Sequence, residues 1–378
     1  MENFTIYNPV KLVFGKNVID SLPNAIKEFG DNVLIMSGKN SIMENGIYEK
    51  VTDLLKKSNI SYSLYSGIKS NPVVDDVVKA IAQAKFENSK VIMAIGGGSV
   101  IDSAKVVSIC INENLNPWDV MTGKVKPSSS VPLISVLTLS ATGSEMNQYA
   151  VLQNDETKQK IGYGSPLMFP KYSFLDPQFT FSVSREYTAF GITDIIAHAL
   201  EAFFAKGDSV LSDNFIASII KETMANAQKV LLEPHNYEYR ANIMLASTCA
   251  LNGITAYGKA SSGDWGVHDI GHTLSVMYDI PHGASLSIAY PAWLKLMADR
   301  IPERISTLGK LIFDTSDINS TIEQFEMFFK SIISPVRLSH LGITNREAII
   351  KLMEKNKVCG FNLKLTSDDY VGLVDLMM

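Results

Sequence analysis

The stretch "KVIMAIGGGSVIDSAKVVSICIN", residues 90–112, decides the fold. The unbroken apolar run from Val91 to Ile95 reads as a strand buried on both faces, and the residues after Ser99 carry the spacing of a helix. Between them stand Gly96, Gly97 and Gly98. Glycines at a strand-to-helix turn let backbone N–H groups approach a ligand without obstruction by Cβ. The helix N-terminus adds free donors and partial positive charge, which suits a pyrophosphate. Ser99 can cap that helix, with Asp102 three residues on. The same turn also serves as a tight connection that binds nothing. The G-x-G-x-x-G fingerprint is absent, so an ordinary Rossmann turn is not expected.

Outward from this stretch the chain alternates. "NVLIMSG" (32–38) is an apolar strand, and "IMENGIYEKVTDLLKKS" (42–58) has helical spacing. "ISYSLYSG" (60–67) is strand-like, "PVVDDVVKAIAQAKFENS" (72–89) is helical, and "VPLISVLTLSATGSE" (131–145) is a strand with a polar exit. This rhythm predicts a mostly parallel sheet covered by helices. "FLDPQFTFSV" (174–183) reads as the last strand and the crossing to a second domain. From Ser184 onward long helical patterns dominate, as in "LSDNFIASIIKETMANAQKVLL" (211–232). The expectation is therefore an α/β nucleotide-binding domain over 1–183 and an all-α domain over 184–378.

Bulk properties narrow the function. The 378 residues are 46% hydrophobic, too many for one ordinary core. Charged residues make up 19% and the net charge is −5, with no polybasic surface, which argues against nucleic acid or an anionic membrane as partner. Three widely spaced cysteines suit a reducing cytoplasm rather than a disulfide framework. The N-terminus lacks the pattern of a signal peptide, and no apolar run approaches the ~20 residues of a spanning helix. "TGKVKPSSSVP" (122–132) reads as a surface loop.

Two clusters carry chemistry. Thr138, Ser140, Thr142 and Ser144 gather hydroxyls past a strand's carboxyl end, where open α/β sheets bind ligands; as plain helix caps they would bind nothing. The second cluster is histidine-rich. "GDWGVHDIGHTLSVMYDIPHG" (263–283) holds three of the six histidines. His268 and His272 share a helix face at i, i+4, and His282 follows in a "PHG" turn. In "GITDIIAHALE" (191–201), Asp194 and His198 also stand at i, i+4, amid apolar neighbours. A carboxylate and imidazoles on buried faces need partners. One carboxylate with three imidazoles makes a tetrahedral site for Zn2+ or Fe2+, leaving one histidine for another role. A simple Asp–His hydrogen bond is the plainer reading. "HDIGH" also resembles the zincin H-E-x-x-H, with Asp269 in place of the glutamate.

Taken together, "NGIYEKV", "SNP" (70–72), "GGGSVIDSAK", "PWDV", "TLSATGSE", "FLDP", "GITDIIAHALE", "GDW" and "HDIGHTLSVMYDIPHG" resemble the iron-containing (group III) alcohol dehydrogenases across essentially the whole chain, in their butanol dehydrogenase and NADPH-dependent aldehyde reductase branch. The resemblance implies a Rossmann-like domain and a helical domain of dehydroquinate synthase-like architecture, with cofactor and metal in the cleft between them. It implies Asp194, His198, His268 and His282 as ligands of one divalent metal, Fe2+ or Zn2+, and His272 as the non-ligand histidine near the nicotinamide. It implies Gly97, Gly98 and Ser99 as pyrophosphate contacts. Asn71, Asp102, Thr138, Ser140, Thr142 and Lys160 would be further cofactor contacts, and Phe179 would line the nicotinamide side. A cytoplasmic homodimer is implied, with residues 4–14 at the interface.

Gly38 stands where NAD-preferring relatives place an aspartate, and Lys39 and Ser41 can meet a 2′-phosphate, so NADP(H) is expected over NAD(H). Trp265, Tyr149 and Phe169 are candidate aromatics for an apolar substrate pocket. The expected reaction is hydride transfer between NAD(P)H and a short to medium aliphatic aldehyde or primary alcohol. Two other readings stay open: a dehydroquinate synthase-like lyase that uses NAD transiently, and a zinc hydrolase built on His268 and His272.

Overall fold

The computed structural model describes residues 1–378, which separate into two compact units, Tyr7–Val183 and Met1–Ile6 with Ser184–Met378. The short N-terminal piece goes with the helical unit, not with the sheet as the sequence suggested. Glu2 N donates to Gly258 O at 2.9 Å, and the rings of Phe4 and Tyr257 stack at 5.8 Å, contacts that a count of strand signals cannot foresee.

In the first unit the strands are β1 (Lys11–Phe14), β2 (Asn32–Ser37), β3 (Ser61–Tyr65), β4 (Val91–Gly96), β5 (Leu133–Leu137), β6 (Tyr149–Asn154), β7 (Gln159–Gly164) and β8 (Tyr172–Leu175). Six of them form a wholly parallel sheet in the order β1-β8-β5-β4-β2-β3. Strands β4 and β5 are buried at every residue, which is why their sequences are unbroken apolar runs rather than alternating ones. The helices of this unit are α1 (Leu22–Lys27), α2 (Ser41–Glu44), α3 (Ile47–Lys57), α4 (Val74–Phe86), α5 (Gly98–Cys110) and α6 (Pro117–Met121). The single helix suggested by 42–58 is two, because Gly46 sits at φ 75°, a left-handed conformation that breaks the turn. Strands β6 and β7 form a separate antiparallel hairpin that the sequence reading did not foresee.

The second unit is all helix: α7 (Arg185–Phe204), α8 (Val210–Leu232), α9 (Tyr237–Leu251), α10 (Gly266–Tyr278), α11 (His282–Met297), α12 (Pro302–Phe313), α13 (Ile318–Ser331), α14 (Arg346–Asn356) and α15 (Ser367–Met377). Its core surrounds α7, which is buried from Thr188 to Phe204 without interruption. A helix apolar all round lies inside its domain, so any polar residue on it must be satisfied there. No helix is long and apolar enough to cross a membrane.

Candidate functional site

On α7 the residues Asp194, His198 and Glu201 fall at i, i+4 and i+7, one stripe of an inward helix. Facing that stripe are α10, which carries His268 and His272, and the first residue of α11, His282. The "PHG" segment is thus a helix start rather than a turn: Pro281 stands at the N-cap and His282 is already helical. Asp194 Oδ1 lies 3.7 Å from His198 Nδ1, 3.8 Å from His268 Nε2 and 3.8 Å from His282 Nε2. Ligand atoms of Asp194, His268 and His282 all fall within 4.8 Å of one another. His198 flanks this trio against Asp194, its ring 4.7 Å from that of His268. Asp194, His198 and His268 are buried, whereas the His282 side chain keeps 23% exposure, so the accessible flank is at the start of α11.

These separations are too long for hydrogen bonds. They approach the ~3.3–3.6 Å expected between donors that share one tetrahedral cation at bond lengths of about 2.0–2.2 Å. His268 Nε2 is buried with no hydrogen-bond partner. Burial alone would push the His268 imidazole down, but the Asp194 and Glu201 carboxylates outweigh it and hold its pKa up to about 9. The site is built around positive charge, and one carboxylate with imidazole nitrogens is a donor set that fits Zn2+ or Fe2+.

Around this cluster, Trp265 sits edge-on to His268, with centroids 5.1 Å apart. His272 is one helical turn beyond His268, half-buried, its ring 5.4 Å from His282. Asp269, the residue a zincin-like hydrolase would need as base, instead accepts the Cys359 N–H at 3.0 Å. Burial pushes its carboxyl up to about 6. Glu201, absent from the sequence-based set, is 1% exposed and accepts from His268 Nδ1 at 2.8 Å. Its spacing three residues after His198 was the available clue.

In the α/β unit the chain leaves β2 outward to β3 and leaves β4 the opposite way to β5, so the direction of winding reverses between β2 and β4. Ligands of open parallel sheets sit outside the carboxyl ends at such a point. Gly38 follows β2 there, and Gly96 ends β4. Helix α5 begins at Gly98 with Gly97 as its N-cap, so no side chain covers its first N–H groups. Ser99 is two residues too far in to cap; its hydroxyl donates to Ser70 O instead. Gly98 is required by proximity: a Cβ there would lie 2.3 Å from Thr142 Cγ2. Thr138 N donates to Gly96 O at 3.1 Å, which brings the exits of β4 and β5 together. Thr138, Ser140 and Thr142 remain half-buried along this edge. Lys160 Nζ, from the hairpin, donates to Asn71 Oδ1 at 2.9 Å, and both residues are buried. Lys39 and Ser41 are exposed just beyond Gly38.

Two of the expected cofactor contacts, Asp102 and Phe179, also make contacts within this unit. Asp102 accepts from Ser144 Oγ at 2.5 Å and from Val151 N at 2.8 Å, which ties α5 to the hairpin. Phe179 lies in the core cluster with Ile19, Ile42 and Ile47. Of the candidate pocket aromatics, Tyr149 is exposed and Phe169 packs on Tyr7 at 5.9 Å. Lys105, also unforeseen, is fully buried and donates to Ser144 Oγ, Asn147 Oδ1 and Tyr149 O at 2.8, 2.9 and 2.7 Å.

Residues 9–177 match the family model for iron-containing alcohol dehydrogenase, and residues 188–362 match the C-terminal model of the Fe-containing alcohol dehydrogenase family. The chain belongs to the iron-containing alcohol dehydrogenase family. It is similar to a probable NADH-dependent butanol dehydrogenase 1 of Bacillus subtilis, 37% identical over 99% of both chains. It is 31% identical to the NADPH-dependent aldehyde reductase YqhD of Escherichia coli, over 97% of both chains. The crystal structure of NADH-dependent butanol dehydrogenase A from Thermotoga maritima superposes with a TM-score of 0.96 at 36% identity, covering 100% of this chain and 99% of that one. As an iron-containing alcohol dehydrogenase, the protein is an NAD(P)-dependent oxidoreductase of the alcohol dehydrogenase and aldehyde reductase type.

Proposed function

We propose that the protein interconverts short to medium aliphatic aldehydes and primary alcohols, with butanal and butanol as representative substrates, using NADP(H) in preference to NAD(H). The observation that carries this reading is Asp194 Oδ1, on the buried stretch of α7, ringed at 3.7–3.8 Å by imidazole nitrogens of α7, α10 and α11. Asp194, His198, His268 and His282 would hold one divalent cation, Fe2+ or Zn2+. When bound, that cation supplies the Lewis acidity that polarises a carbonyl group toward hydride.

The rest is the work of the chain's own residues. Gly97, Gly98 and Ser99 present backbone N–H groups to the pyrophosphate, and Thr138, Ser140 and Thr142 line the same edge. Lys160 and Asn71, held to each other, bring a cation to the cofactor. His272 is the histidine left to move a proton between the reacting oxygen and water. The units Tyr7–Val183 and Ser184–Met378 are proposed as the dinucleotide-binding and metal-binding domains. The hydride chemistry belongs to the nicotinamide, and the protein positions it.

The cofactor preference rests on the end of β2. No carboxylate follows Ser37 until Glu44, so nothing short-range repels a 2′-phosphate, and Lys39 stands exposed to meet one. Relatives carry both NADH- and NADPH-dependent names, so cofactor choice varies within the family. The three free cysteines agree with a cytoplasmic setting. Strand β1 ends the sheet with one unpaired edge, and Phe4, Ile6 and Tyr7 before it are exposed, which supports a homodimer through this edge.

The test is oxygen-free purification and separate reconstitution with Fe2+, with Zn2+ and with neither, followed by butanal with NADPH or NADH. Metal-dependent NADPH oxidation, lost in His268→Ala, is the expected result. A preference for NADH would overturn the use of Gly38 and Lys39. No turnover with either cofactor across several aldehydes would overturn the reading and favour transient NAD chemistry.

A further inference from the structure

Helix α10 begins with little help from its own sequence, only Asp264 Oδ2 accepting the Gly266 N–H at 3.3 Å. Its N-cap, Trp265, lies in a left-handed conformation at φ 64° and offers no side-chain acceptor. The unsatisfied N–H groups of a helix start, and its partial positive charge, call for an acceptor. Glu201, more than sixty positions earlier in the chain, supplies it. One oxygen, Oε2, accepts the Trp265 N–H. The other, Oε1, accepts the His268 N–H at 3.1 Å and faces His268 Nδ1 at 2.8 Å. Gly263 permits this approach, since a Cβ there would lie 2.9 Å from Glu201 Cβ and 2.9 Å from Trp265 Cε2.

A carboxylate that close to an imidazole nitrogen is an acceptor only, so Nδ1 must carry the proton. In the neutral ring that binds a cation, Nε2 is then the lone-pair nitrogen, and it is the atom 3.8 Å from Asp194 Oδ1. The backbone bonds to Trp265 and His268 fix where the ring starts, and the Nδ1 bond fixes how it is turned. From this geometry we infer that Glu201 is a positioning residue: it sets the tautomer and orientation of His268 while capping α10. This rests on the reading of the Asp194 cluster as a cation site and adds to it the residue that preorganises one ligand. Partners that orient a metal-binding histidine in this way typically govern metal affinity by about 10–100-fold.

The experiment compares the full-length wild type with Glu201→Ala and Glu201→Gln. Zn2+ affinity is measured by chelator competition, and the tautomer is read from the His268 15N shifts of histidine-labelled, metal-free protein at a pH of about 10, where the ring is neutral. The expected result is a loss of about 10–100-fold in Glu201→Ala, with the Nδ1–H signature of His268 gone. Glu201→Gln, whose amide oxygen still accepts one N–H, keeps that signature and falls between the two. If Glu201→Ala does not fold, Glu201→Gln carries the test through the same two readouts, an affinity below wild type being expected. Wild-type affinity in both variants would overturn the inference alone. So would a weakened Glu201→Ala that keeps the wild-type His268 signature, because Glu201 would then be only a helix cap. A wild type that takes up no Zn2+ would overturn the cation reading beneath it.

Discussion

At the residue scale, what a position can do is set by the space and partners around it. Gly98 has neither room for Cβ nor a side chain over its N–H. In Gly98→Ala the new methyl would collide with Thr142, and shifting a packed neighbour of this kind costs about 1–3 kcal/mol. NADPH binding followed by fluorescence should weaken at least about tenfold, the equivalent of 1.4 kcal/mol, with Zn2+ affinity unchanged. Pairing it with Thr142→Gly should recover much of the loss; no recovery would mean that the collision is not the cause. Lys105 is the opposite case, a buried charge whose three acceptors lie on the segment following Thr142. Burial pushes its ammonium down to about 8, against the charges of Asp102 and Glu145. Lys105→Met strands those acceptors and leaves Asp102 without its cation, so urea unfolding should show a loss on the order of 3 kcal/mol. A loss below about 1 kcal/mol would show the network to be dispensable.

At the scale of elements, the helical unit depends on charges shared between helices. Glu326 on α13 binds Lys295 of α11 at 2.8 Å, Lys330 at 2.8 Å and Arg337 at 3.0 Å. Burial by itself would raise this carboxyl, but the three cations outweigh it and bring its pKa to about 2. The folded value lies below the unfolded one, near 4.5, so the stabilisation is complete above that pH and is lost as pH falls from about 4.5 toward 2. Glu326→Gln should therefore be less stable than wild type at pH 7, and the gap in melting temperature should narrow as pH falls below 4.5. A gap that stays constant to pH 3 would rule out this linkage. Element boundaries mattered for the site as well. Reading His282 in a turn left its direction open, whereas its place at the start of α11 aims it at Asp194.

At the scale of the whole molecule, the proposed reading has two ligands acting on two units. A ligand at about a hundred times its Kd stabilises the state it binds by about 2.7 kcal/mol. Zn2+ should slow hydrogen exchange first in α7, α10 and the start of α11, where its proposed ligands lie. NADPH should do so first around Gly96–Ser99 and Thr138–Thr142. Protection by Zn2+ confined to the sheet would contradict the assignment of metal binding to the helical unit.

The sequence by itself determined the alternation of strand and helix, the parallel sheet, the change to all-helix near residue 184 and the spacing that gathers Asp194, His198 and His268 on inward faces. These follow from local periodicity and apolar runs, which a linear chain displays directly. Only the tertiary structure decided that Asp102 bonds to Ser144 and Val151, that Phe179 packs against Ile19, Ile42 and Ile47, that residues 1–6 join the helical unit and that Glu201 meets His268. Each is a matter of which distant donor or neighbour meets a given side chain. A carboxylate on a helix face has the same local pattern whether it binds a cofactor, a cation or a backbone N–H, and the choice is made by groups dozens of residues away that packing brings within hydrogen-bond reach.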